Sequence, residues 1–96
     1  MPSVPDKILN AFTTNTDGAE YDFPGGILTV TADSGSNFDG ATVGIKYKPS
    51  LATNFTPVGD LTFVAAGVKN IILSPGKIKG YASGGGGAMS ITLFVT

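Results

Sequence analysis

No window of 11 residues in this chain sustains a 3.6-residue apolar period without a glycine or proline inside it. The 14 Gly and 6 Pro recur every few residues along the 96 positions. Good helix formers are scarce: there is one Glu, no Gln and no Arg. Helix is therefore excluded as the main element, and strands separated by turns remain.

The strands can be read between the punctuation. Lys7–Thr14 follows Pro5 and runs into Asn15-Thr16-Asp17-Gly18, where Asp-Gly predicts a turn because both residues tolerate positive φ. Ala19–Phe23 stops at Pro24-Gly25-Gly26. Ile27–Ala32 places Leu28, Val30 and Ala32 on one face and Ile27, Thr29 and Thr31 on the other. After the loop Asp33–Gly40, Ala41–Lys48 turns Val43, Ile45 and Tyr47 inward and Thr42, Lys46 and Lys48 outward. A loop at Pro49–Asn54 precedes two short pieces, Phe55–Val58 and Leu61–Val64, parted by Gly59-Asp60. Val68–Leu73 follows, then a Pro-Gly turn at Ser74–Lys77, then Ile78–Ala82. Gly84–Gly87 predicts a hairpin loop into Ala88–Val95, where Met89, Ile91, Leu93 and Val95 share one face. The expectation is all-β: an antiparallel β-sandwich or small jelly roll of about 7–8 short strands. Residues 1–6 form an extended N-terminal arm and residues 7–96 a single sandwich domain.

Composition narrows the chemistry. Without Cys or His there is no disulfide, thiolate nucleophile, imidazole base or Cys/His zinc site. The net charge of −1 and six Lys do not make a phosphate-binding face, so nucleic acid is not an expected partner. No apolar run approaches the roughly 20 residues of a spanning helix, and Met1–Asp6 lacks the basic and apolar regions of a signal peptide. Neither a membrane nor a cofactor is expected. Charged residues are 14% of the chain, against roughly 25% in an ordinary soluble domain. A surface so poor in charge favours association.

The motifs that resemble sites lack their required parts. Gly84–Gly87 leads into a strand and no Lys follows it, unlike a phosphate loop. Asp33–Gly40 is similar to a calcium loop in composition, but an EF-hand register puts Gly35 at the first ligand position and Lys46 at the last. A looser set of Asp33, Asn37 and Asp39 stands against a polar connection held by Asx turns. Glu20 and Asp22 share a strand face, as catalytic carboxylates would, but also as a solvated face does. Asn54-Phe55-Thr56 matches the glycosylation pattern formally. Lys46, Lys48, Lys77 and Lys79 can form a modest positive strip. Phe94 lies on the polar face of the best-patterned strand, where either the chain itself or a neighbouring subunit covers it. Ile27, Ile71 and Tyr81 raise the same question.

The run Ile72-Leu73-Ser74-Pro75-Gly76-Lys77-Ile78-Lys79-Gly80-Tyr81-Ala82-Ser83-Gly84, with the glycines after it and the strand Met89–Val95, is similar to the C-terminal halves of small β-sandwich virion proteins of tailed bacteriophages, including head decoration (cement) proteins. The resemblance covers roughly residues 61–96, and the N-terminal half carries no matching motif. It implies a structural, non-enzymatic protein made in the host cytoplasm and placed on the virion surface. There it would form homotrimers that clamp the major capsid protein across neighbouring capsomers. The expected contact residues are the arm Met1, Pro2, Ser3, Val4, Pro5 and Asp6, with Tyr81 and Phe94. A host-attachment or carbohydrate-binding sandwich is the alternative. It would need aromatic platforms, and Trp is absent.

Overall fold

The computed structural model describes residues 6–95. They form eight strands: β1 (Lys7–Phe12), β2 (Asp17–Phe23), β3 (Gly26–Ala32), β4 (Thr42–Pro49), β5 (Thr56–Phe63), β6 (Gly67–Leu73), β7 (Gly76–Ser83) and β8 (Ile91–Val95). Two four-stranded antiparallel sheets result, ordered β1-β8-β3-β6 and β2-β7-β4-β5. β1 pairs with β8, β2 with β7, β3 with β6 and β4 with β5. The chain is thus one long antiparallel ribbon with its tip at the β4–β5 loop, wound so that successive rungs fall in alternate sheets. This is a jelly roll.

The core lies between the sheets and follows the alternation expected for β3, β4 and β8. Leu28, Val30, Ala32, Ile91, Leu93 and Val95 enter it from one sheet; Val43, Ile45, Leu61, Phe63 and Ile78 enter from the other. Among the described residues no polar or charged side chain is buried, so the interior carries no desolvated polar group to satisfy.

Winding changes the meaning of several turns. Only the β4–β5 loop joins hydrogen-bonded neighbours; the other connections cross between sheets. Gly84–Gly87 is therefore a crossover and not a hairpin. Asp17 and Gly18 form no turn at all. They open β2, and neither has positive φ. Gly59-Asp60 does not divide β5 into two strands. The irregularity is absorbed inside it, where the register jumps from Gly44↔Thr62 to Lys46↔Pro57. β1 ends at Phe12, and two register shifts in it bring both Ile8 and Leu9 into the core. Met1–Pro5, the larger part of the expected arm, lie outside the described residues. Asp6 is already tied to the sheet, because its carbonyl accepts the Val95 amide at 2.9 Å.

The crossovers at one end are sewn together by side chains. Asn15 copies a backbone strand: its amide donates to the Gly85 carbonyl at 2.9 Å and its carbonyl accepts the Gly85 N–H at 2.8 Å. This needs close approach. A Cβ on Gly85 would stand 2.4 Å from Met89 Sδ, inside any permitted contact.

Candidate functional site

The two sheets present unlike outer faces. On the β2-β7-β4-β5 face, the register sets Lys46 opposite Lys79 and Lys48 opposite Lys77, with Glu20 and Asp22 on the far side of Lys79 and Lys77. The expected positive strip is a two-by-two array with acids along its edge. Asp17 bridges two of its members, receiving Lys46 Nζ at 2.8 Å and Lys79 Nζ at 2.9 Å. Lys48 and Lys79 also flank the Phe55 ring, at 5.6 and 4.3 Å from its centroid. Seven charged side chains share this face.

Asp17 ties β2 to both β7 and β4. The hydrogen bond from Lys46, reinforced by that from Lys79 and by both ammonium charges, holds its carboxyl below the ordinary value of 3.8 against the opposing effect of partial burial. A depressed carboxylate stabilises the fold above its unfolded pKa, and that stability is lost as pH falls through the folded value. Melting temperature should therefore be flat near neutrality and decline below about pH 4. In Asp17→Asn the neutral-pH stability drops by roughly 0.5–1 kcal/mol, since the pair is partly exposed, and the acid-side decline becomes shallower. Thermal melts from pH 3 to 7 on both proteins check this; identical profiles would contradict it.

Tyr81 belongs to the outward set of β7, as the sequence implies, yet it is only 9% exposed. Its register neighbour on β4 is Gly44, whose absent side chain leaves room for the ring. A Cβ there would lie 3.2 Å from Tyr81 Cε1 and 2.6 Å from the Leu61 carbonyl oxygen. Lys46 closes over the ring at 5.2 Å. The expected contact surface at Tyr81 is thus covered by the chain's own glycine and lysine, in the way that aromatic side chains shield strand glycines.

The outer face of β1-β8-β3-β6 is different. Its rows run Lys7–Phe94–Thr31–Val68, Thr29–Asn70 and Ile27–Ile72. The only charge among them is Lys7 at the rim, with its Nζ 5.6 Å from the Phe94 ring centroid. Phe94 is half-buried there. Ile27 is 67% exposed, Val68 63% and Ile72 75%. Val64, in the loop entering β6, is exposed as well. Ile71 is not part of this surface; it turns inward opposite Leu28 and packs on the core. Val68 and Ile72 escape sequence reasoning because β6 carries apolar residues at both parities, so alternation does not say which set is outside. Of this surface, only Phe94 and Ile27 stand out from residue order.

The calcium-like loop is occupied by its own hydrogen bonds. Asn37 Oδ1 accepts the Asp39 amide at 3.2 Å in an Asx turn, and Asp39 Oδ2 accepts the Ala88 amide at 3.0 Å. Among the described residues no group of three or more acidic side chains is placed to hold a metal ion. No protein-family model matches the chain, and neither the curated proteins nor the solved structures yield a significant match.

Proposed function

We propose that this protein is a non-catalytic structural component of a protein shell, a phage capsid by the resemblance of residues 61–96. In this reading it decorates and stabilises the shell as a homo-oligomer that bridges capsomers, taken as a trimer from the same resemblance. The observation that carries the reading is the segregation of charge. Among the described residues, one outer sheet face holds at least seven charged side chains, and the rows of the other hold Lys7 alone beside Ile27, Val68, Ile72 and Phe94. Protein interfaces are depleted of charge at their centre, and exposed apolar clusters mark such surfaces. The jelly roll is consistent with this role without implying it.

The mechanism is linkage. A decoration protein that binds the assembled shell better than the open one shifts the equilibrium toward the closed form. Sites spanning two capsomers provide that difference, because their halves separate when the shell opens. Several copies bound together raise the effective concentration of each further contact. Shells stripped of the protein should release their DNA at a lower temperature than the same shells reloaded with it. Equal failure temperatures would overturn the cementing role and favour host attachment.

A further inference from the structure

A sandwich of two open sheets has four edge strands, and three of these are blunted. β5 carries Pro57 and a wide register jump. β1 has two register shifts and a left-handed Ala11, φ 49°. β2 bears Asp17, Glu20 and Asp22 along its length, with a shift between the first two. Bulges, proline and charge are the devices that keep edges from pairing. β6 has none of them on its outward face. It pairs with β3 in unbroken register over all seven residues, so its other side presents a straight row of backbone donors and acceptors.

Its one charge, Lys69, points inward, a position that can guard an edge, but here its ammonium is held within its own chain. Lys69 Nζ donates to the Thr62 carbonyl and stands 5.1 Å from the Phe63 ring centroid, closing the gap between the two sheets.

We propose that β6 pairs antiparallel with β6 of a second copy, about a two-fold axis through Asn70. The segment is self-complementary in that register. Val68 meets Ile72 of the second copy, Lys69 meets Ile71, Asn70 meets Asn70, and no like charges stand directly opposite each other. The axis is perpendicular to the sheet, so outward residues stay outward. The two β1-β8-β3-β6 sheets become one continuous eight-stranded sheet, and the four exposed Val68 and Ile72 side chains lie in contact across the join. This rests on the reading of that face as an assembly surface and names the partner at its edge. An isologous contact closes in pairs, so the trimer taken above is doubled to a hexamer, and where the three-fold contact does not form the species is a dimer.

A charge exchange tests it, using the full chain in sedimentation velocity over a wide concentration range. Both positions are exposed, so the variants keep the fold, which circular dichroism checks. V68D/I72D places two like-charged pairs across the join and should weaken association by about 100-fold or more. V68K/I72D removes the same apolar surface but places two opposite-charged pairs there, and should associate within about 10-fold of the parent chain. Equal loss in both variants would overturn the register. A monomer at high micromolar concentration, or an odd-numbered parent oligomer, would overturn the pairing itself. Shell binding by that monomer or odd oligomer would leave the decoration role standing, so the two readings fail separately.

Discussion

Phe63→Ala should cost about 3–5 kcal/mol of folding stability, the usual range for emptying a buried aromatic site. Phe63 is 2% exposed and is among the largest fully buried side chains. Its ring also takes the Lys69 ammonium at 5.1 Å, so truncation removes one support of the clamp between β5 and β6. A domain of 96 residues has about 5–14 kcal/mol in total. The loss is thus about a fifth of the reserve at the least, and melting temperature should fall by about 12 °C or more. Ile72→Ala, at a site 75% exposed, should stay within about 0.5 kcal/mol. Urea unfolding of the two variants measures the contrast. Similar midpoints would show that the core is not where the sheets place it.

Ile72→Asp reverses that pattern: the fold is kept and the function is lost. The side chain projects from the outer face beside Ile27, so a carboxylate there is fully hydrated in the free protein. Docked against an apolar surface, the same carboxylate must shed its water without a partner. Loading onto stripped shells should weaken at least about tenfold, equivalent to roughly 1.4 kcal/mol, with a thermal melt close to that of the parent chain. Glu20→Gln, on the charged face of the other sheet, is the matched control and should load normally. If Ile72→Asp loads like the parent and Glu20→Gln does not, the charged sheet is the contact surface and the proposed orientation is reversed.

The inner faces of β3, β4 and β8 were legible because alternation is a local property: in a strand, period-two spacing alone sends Leu28, Val30 and Ala32 to one side. The Gly and Pro punctuation likewise marked where the chain changes direction. It did not say whether a change of direction stays in one sheet or crosses to the other. Gly84–Gly87 reads as a hairpin loop and Ser74–Lys77 as a Pro-Gly turn, yet both cross between sheets. The Asp-Gly turn at 17–18 does not form, for a related reason. Asp17 lies in β2 instead, where Lys46 and Lys79 from two distant strands reach its carboxylate.

Exposure was the property least visible from residue order. Tyr81 and Phe94 are both outward aromatics, but Tyr81 lies over Gly44 beneath Lys46 while Phe94 keeps an open side. The difference depends on which residue the register places alongside, and that residue is far away in the chain. The same holds for β6. Its composition marks it as a strand, but only the strand order makes it an edge and leaves Val68 and Ile72 uncovered. By itself, then, the sequence determined an all-β chain, its main core positions and a surface poor in charge, because backbone propensity and side-chain polarity act over a few residues. The tertiary structure alone decided which outer face collects the charge and which strand edge stays open, because both follow from pairings between segments that meet only when the ribbon is wound.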